Sequence, residues 1–454
     1  MITTAAVREL AGRLSGPVLL PGDDGYAAEV AGFNRVVEHR PAAVAAVRDA
    51  AEIREAVGWA AAARIPVAVQ ATGHGPTATA HGDGLLISTR RMTGVTVDPD
   101  ARTARVAAGT QWHEVIDAAA AFGLAPLNGS SPLVGVVGYT LGGGLGLLSR
   151  AHGYAADHVT AIEYVGADGR PGVATAERDT DLFWAMRGGK GNFAVVTALE
   201  FSLFPAPHFY GGGLYFPGEH AAEVLHTWRS WTAALPEETS SSLALLRMPD
   251  LPAIPEFLRS RLVVHVRVSH LGPADEAERL LKPLRQTVPP IADTLGEMPY
   301  ARCAAIHHDP ASPVPYHERT LMLREFDGPA TGELLALAGP DSACGDILVE
   351  LRHLQGALGR PPAVPNAVGH RDAAYCLTTL TPPGGEPDTV VEGMAHRGTG
   401  LRYLNFLTGP QTAQRASQGY DSATYTRLTE IKDRYDPENL LRFNHNIPPR
   451  APRR

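Results

Sequence analysis

Apolar positions between residues 42 and 70 fall into three blocks with different spacing. Ala42 to Val47 is continuously apolar, Ala50 to Ala63 carries Ile53, Val57 and Ala61 at helical intervals, and Ile65 to Val69 is again a short apolar run. Short apolar runs suit buried strands, and apolar residues three and four apart suit one face of a helix. The pattern therefore predicts a compact strand–helix–strand unit. Further strands are expected at Gly84 to Ser88, Gly94 to Val97 and Thr103 to Ala107, followed by a helix from Gln111 to Ala121. Asp98-Pro-Asp and Gly166-Ala-Asp-Gly-Arg supply hairpin-type turns.

Beyond Phe201-Ser-Leu-Phe-Pro-Ala-Pro207 the pattern changes. Strands at Phe209 to Phe216, Ser242 to Met248 and Leu262 to His270 alternate with helices at Ala221 to Ala234 and Asp275 to Leu284, which predicts an antiparallel sheet with helices on one face. In Ile347-Leu-Val-Glu-Leu-Arg-His-Leu-Gln-Gly356, a strand would place Leu348, Glu350 and Arg352 on one face and Val349 and Leu351 on the other. At 454 residues the chain is too long for one simple core and is expected to form two or three units.

Glycine interrupts this pattern in three places. Gln70-Ala-Thr-Gly-His-Gly-Pro-Thr77 leaves the strand predicted at Ile65 to Val69 and puts His74 in a turn where backbone amides can face a phosphate-bearing ligand. Asn128-Gly-Ser-Ser-Pro-Leu-Val-Gly continues into six glycines between Gly135 and Gly146, a stretch poorly suited to a continuous helix and better suited to lying against a ligand. Asp181 to Thr197 couples a short amphipathic helix to Gly-Gly-Lys-Gly-Asn192 and then to a β-branched strand. Three such turns in one half of a chain point to a large phosphate-bearing cofactor. No strand leads into Gly-x-Gly-x-x-Gly with an acidic residue about twenty positions on, which argues against a Rossmann dinucleotide enzyme.

These turns, together with Tyr425-Thr-Arg-Leu-Thr-Glu-Ile-Lys-Asp-Arg-Tyr-Asp-Pro-Glu-Asn-Leu-Leu-Arg-Phe-Asn-His-Asn-Ile447, resemble the berberine bridge enzyme-like branch of the FAD-linked oxidases, in the vanillyl alcohol oxidase or PCMH-type superfamily. The motifs occur in the family's order over nearly the whole chain. The resemblance implies an α+β, two-domain PCMH-type FAD-binding fold. Residues 1–205 and 405–454 would form the FAD-binding domain, and residues 206–404 an inserted antiparallel-sheet substrate-binding domain covered by helices.

The resemblance also implies roles for particular residues. His74 matches the histidine joined to the flavin 8α carbon, with Thr72, Gly73, Gly75, Pro76 and Thr77 around it; relatives have Arg-Gly-Gly-His-Ser where this chain has Ala71-Thr-Gly-His-Gly. Ser131 stands where many relatives carry a second, cysteinyl link. A serine hydroxyl is a far poorer nucleophile than a thiolate, so a single attachment is expected. Gly129 matches the family's gate to the oxygen pocket, and Tyr139 a position near the flavin pyrimidine and ribityl chain. Val134, Gly135, Gly138, Gly142, Gly143, Gly144 and Gly146 complete the second turn, where Leu145 replaces a tyrosine that serves some relatives as a base. Gly191, Asn192 and Val195 belong to the third, and Asn444 and Asn446 to the segment at the flavin edge. Glu350 resembles the family's base over the flavin. Tyr403 and His445 are further candidates for proton transfer.

The activity so implied is hydride removal from a small-molecule substrate with dioxygen as acceptor. The alternatives are an internal flavin monooxygenase or dearomatase of polyketide type, and a non-catalytic flavin carrier. Composition agrees with a folded chain, at 44% hydrophobic and 19% charged residues. A net charge of -8 leaves no electrostatic footprint for nucleic acid or an anionic membrane. Cys303, Cys344 and Cys376 lack metal-ligand spacing, so no metal site is expected. No long apolar stretch is present, and a cytoplasmic protein is expected.

Overall fold

The computed structural model describes residues 4–78, 80, 82–252 and 254–450. Its first sheet has the strand order Val18–Leu19, Ala43–Ala46, Leu85–Ser88, Val67–Gln70. The expected helix runs over Ala50–Ala62, capped by Asp49, whose Oδ1 accepts from Glu52 N at 2.9 Å. The unit is not the compact one expected, because Leu85–Ser88 inserts between its two strands and runs parallel to both. Burial explains the insertion. Leu85, Leu86 and Ile87 are wholly buried and demand the interior of the sheet, whereas Val69 on Val67–Gln70 is 43% exposed and tolerates the edge. The His74 turn therefore leaves an edge strand.

The second sheet is antiparallel, in the order Val95–Asp98, Thr103–Ala107, Ala194–Ser202, Val159–Gly166, Pro171–Ala174, and both predicted hairpins are present in it. The glycine-rich stretch contains one short helix, Val136–Leu141, which ends where Gly143 and Gly144 take φ of +111° and +79°.

The third sheet takes its strands from residues 208–381, with His208–Pro217, Leu262–His270, Thr239–Arg247, Leu348–His353, Tyr375–Thr381 and His317–Leu323 side by side. One row across it reads Leu214, Val266, Leu243, Leu351, Leu377, Leu321. That face is covered by Val224, Leu225 and Trp228 of helix Ala221–Thr232 and by Leu281, Leu284 and Leu334 of two further helices. The adjacent row, on the other face, reads Tyr215, His265, Ala244, Glu350, Thr378, Thr320. Burying each leucine is worth about 2 kcal/mol, so a one-residue slip, which would carry Glu350 under the helices, is strongly disfavoured.

The polar face looks toward the glycine turns. Met322 and Cys376 pack with Leu145, Tyr154 and Tyr403, and Ser269 Oγ donates to Leu147 O at 2.6 Å. The chain then returns as helix Ser422–Tyr435. Its buried Lys432 donates to Asp436 at 2.6 Å and to Asn192 O at 2.7 Å, tying the C-terminal segment to the third glycine turn. Among the described residues, no helix is long and apolar enough to cross a membrane.

Candidate active site

His74 sits in a turn held from three sides. Gly73 has φ +68°, and a Cβ there would stand 2.5 Å from Gly32 Cα, so this position admits no side chain. Phe33 N donates to Thr72 O at 2.8 Å, and the Phe33 ring stacks on the imidazole with centroids 4.0 Å apart. Arg90, which carries no motif, donates from Nε to Ala71 O at 3.0 Å and from Nη1 to Ala28 O at 2.7 Å. It fastens a turn that lacks the family's own arginine.

Thr72 Oγ1 lies 2.8 Å from His74 Nδ1 and accepts from Gly135 N at 3.2 Å, joining the first glycine turn to the second. Burial pushes the His74 pKa down to about 4, so the imidazole is neutral at ordinary pH, and among the described residues its buried Nε2 has no partner. Valine at 72 keeps the shape and removes the hydroxyl. Thr72→Val is expected to cost about 1 kcal/mol in a denaturation curve and to lower the amount of FAD that the purified protein retains. Unchanged values of both would make the hydroxyl a bystander.

In the second turn, Ser131 Oγ accepts from Leu133 N at 3.3 Å and serves as a turn residue. A Cβ on Gly129 would stand 3.0 Å from the Tyr139 ring, which gives this glycine a packing reason. Tyr139 is buried against Trp112, and its hydroxyl has no partner. Asn405 Nδ2 donates to Tyr139 O at 2.8 Å, and Gly142 leaves room for the Asn405 amide. Trp112 N donates to Val134 O at 3.1 Å.

The third turn meets the C-terminal segment through Asn192, whose Nδ2 donates to His445 O at 3.0 Å and whose Oδ1 accepts from Ile447 N at 2.9 Å. Asn444 Nδ2 donates to Gly191 O at 3.2 Å. Among the described residues, the remaining oxygens, Asn444 Oδ1 and Asn446 Oδ1, are buried without partners. Val195 is buried in the apolar core between the first two sheets.

Glu350 is 2% exposed and lies between two arginines: Arg267 Nη1 donates to Oε1 at 2.6 Å, and Arg352 Nε donates to Oε2 at 2.9 Å. The shared face expected for Glu350 and Arg352 is present, and there burial and the two arginines act on the carboxyl's pKa in opposite directions. Burial raises it, yet Arg352 and Arg267 outweigh burial and hold the carboxylate at about 2. Such a group is a weak proton acceptor, and its chemistry here is to fix two guanidiniums. Arg267 Nε also donates to His265 Nδ1 at 3.1 Å, and His307 Nε2 lies 3.9 Å from Glu350. Burial, with the arginine charges, holds both imidazoles well below their usual range.

Burial likewise pushes the Tyr403 phenol well up and His445 well down. Among the described residues, no hydrogen bond joins Glu350, Tyr403 and His445. Tyr403 packs on Gly143, His445 belongs to the Asn192 node and Glu350 to the sheet.

The FAD binding domain family matches residues 41–172, and the berberine and berberine-like family matches residues 402–448. These spans contain the first two glycine turns and the Asn444–Asn446 segment. The chain is 28% identical to (R)-6-hydroxynicotine oxidase of Paenarthrobacter nicotinovorans, over 96% of this chain and 97% of that one. The crystal structure of 6-hydroxy-D-nicotine oxidase from Arthrobacter nicotinovorans superposes with a TM-score of 0.82 at 25% identity, covering 96% and 98% of the two chains. The chain thus carries an FAD binding domain and a berberine-like segment, and its relatives are FAD-linked oxidoreductases. Xylooligosaccharide oxidase from Myceliophthora thermophila C1, at 21% identity and a TM-score of 0.82 over 98% and 99% of the chains, shares the PCMH-type α+β fold.

The protein is an FAD-dependent oxidoreductase, and its own residues fit the cofactor. Buried polar groups are normally paired. Among the unpaired buried groups of the described residues, His74 Nε2, Tyr139 OH, Asn444 Oδ1 and Asn446 Oδ1 lie on the glycine turns and the C-terminal segment, where Gly75, Gly138 and Gly191 face open space.

Sequence reasoning missed Arg90, Lys190, His265, Arg267 and His307. A signal for two of them was available, because His265 and Arg267 alternate with Val264, Val266 and Val268.

Proposed function

We propose that this enzyme is an oxidase that takes a hydride from a small-molecule, secondary-metabolite-type substrate, passes the electrons to dioxygen and releases hydrogen peroxide. Its FAD would be held by one covalent bond, from His74. The observation that carries this reading is the neutral, stacked His74 on a glycine turn, with a ring nitrogen left unpaired. Bound FAD would supply the two-electron acceptor at its N5 atom.

Residues 1–205 with 405–454 would form the cofactor unit, and residues 206–404 the substrate unit. Asn444 and Asn446 would offer amide groups to the ring edge, and Tyr139 its hydroxyl. Arg267 and Arg352, fixed by Glu350, would orient the substrate from the sheet. The relatives' names, a hydroxynicotine oxidase and a xylooligosaccharide oxidase, support a small polar substrate.

The test is anaerobic bleaching of the flavin by a panel of amines, alcohols and sugars, followed by admission of air. Rapid return of the yellow colour with one peroxide per turnover is expected; a reduced flavin that persists in air would make the enzyme a dehydrogenase. Peptide mapping is expected to find flavin only on the peptide containing His74. An adduct within residues 128–150 would refute the single tether.

A further inference from the structure

Oxidation of a carbon bearing a hydroxyl or amine requires a proton acceptor, and Glu350, Tyr403, His307 and His445 are poorly matched to that task. Glu350 is held at about 2, Tyr403 well above its usual range, and His307 and His445 well below theirs. The sheet's polar face carries one more acid. Two residues along from Glu350, on the same face, the row reads Leu246, Leu348, Leu380 and Glu318, which places Glu318 about 10 Å away from that strand, across Tyr375–Thr381.

The strand that bears Glu318 is bound to the cofactor turns at its start. Arg35 N donates to Val314 O at 3.0 Å and Asn34 Nδ2 to Tyr316 O at 2.9 Å, next to the Phe33 ring stacked on His74. Glu318 N donates to Thr408 Oγ1 at 2.9 Å, and the neighbouring Gly409 N donates to Pro76 O at 2.9 Å, two residues beyond His74. Glu318 is therefore fixed where the His74 turn, the third turn with Lys190, and the face bearing Arg352 converge. Its side chain is half-buried, and among the described residues its carboxylate has no hydrogen-bond or ion-pair partner, whereas Glu350 has two arginines.

We propose that Glu318 is the catalytic proton acceptor of this enzyme. The proposal rests on the hydride-transfer reading above. The substrate's C–H bond breaks with its electron pair going to the flavin, the O–H or N–H bond breaks with its proton going to a Glu318 carboxylate oxygen, and the pair left behind forms the new C=O or C=N bond. Two electrons reduce the cofactor, the substrate is oxidised by two, and Glu318 ends as the neutral acid.

The surroundings set its proton affinity. Burial pushes Glu318 up to about 8; Arg352 opposes this, Glu350 and Asp309 reinforce it, and Lys190 opposes it. Lys190, donating to Leu404 O at 3.2 Å, is itself brought down to about 8 by burial. With a folded pKa near 8, the acceptor form grows as pH rises through that value, so flavin reduction is expected to accelerate over the same range.

The test compares wild type with Glu318→Gln on the holoenzyme. Infrared difference spectra taken between about pH 6 and 10 are expected to show a protonated carboxyl lost near pH 8 in wild type and absent from Glu318→Gln. This readout needs no substrate. Stopped-flow reduction by any substrate that bleaches the flavin is expected to slow about 100-fold or more in the variant, with loss of the alkaline rise, while flavin content stays normal. The same carboxyl titrating in Glu318→Gln, no such titration in wild type, or a variant reduced at the wild-type rate would each overturn the proposal. If no substrate bleaches either protein, the hydride-transfer reading fails, and the infrared titration still decides whether Glu318 is poised as stated.

Discussion

Alanine at position 74 is expected to abolish retention of flavin by the denatured chain. Wild type, precipitated with acid and washed, stays yellow; His74→Ala yields a colourless pellet and a yellow supernatant. The argument rests on the nucleophile. An imidazole attacks through an unprotonated nitrogen, and burial holds His74 at about 4, so the reactive form predominates at every pH above that. Apoprotein mixed with FAD should attach it at a nearly constant rate from about pH 8 to 5 and lose the capacity as pH falls below about 4. Attachment that falls off near the ordinary histidine pKa of about 6.5 would mean that the ring is solvated and that the Phe33 stack does not shield it. Flavin that leaves denatured wild type freely would remove the covalent bond from the account altogether.

The second large effect is expected at Glu350. Glu350→Ala leaves Arg267 and Arg352 on one buried face without their shared counter-ion, and removal of one partner from a buried ion network typically costs about 3–5 kcal/mol. The pH dependence follows from the depressed pKa. The carboxyl lies at about 2 in the folded chain and near its ordinary value of about 4.3 unfolded, so its stabilising contribution is complete above the unfolded value and is lost as pH falls through about 2. Urea midpoints measured from neutral pH downward should therefore converge for wild type and Glu350→Ala at the acid end. A constant gap at all pH values would assign the loss to packing instead of charge.

Much of the fold was legible because its periodicities are clean. Leu262–His270 has the bounds expected from its alternation, and the helix over Ala50–Ala62 lies one residue from the expected end. The placement of Leu85–Ser88 between two strands joined by a helix was not legible, since three short apolar runs carry no order among themselves; only relative burial decides it. The glycine turns themselves were legible from glycine spacing. The substrate face was only half legible: Glu350 and Arg352 announce themselves two residues apart on one strand, but Arg267 reaches them from a strand more than eighty residues earlier in sequence, and Glu318 from another. Charge compensation of that kind exists only after the sheet has assembled. The same is true of Arg90, which replaces a missing local arginine from beyond the turn it holds.

The Asn192 node has a consequence for biosynthesis. Asn192 is satisfied by His445 and Ile447, some 253 and 255 residues later, and Lys432 bonds to its carbonyl oxygen from the last helix. Contacts of such sequence separation form late, because the chain between them must be ordered first. On the ribosome, the glycine turns at His74 and Gly135 are made long before the residues that bond Asn192, which follow it by 253 and 255 positions. A chain truncated before Asn444 would lack both contacts that satisfy the Asn192 amide, those to His445 and Ile447.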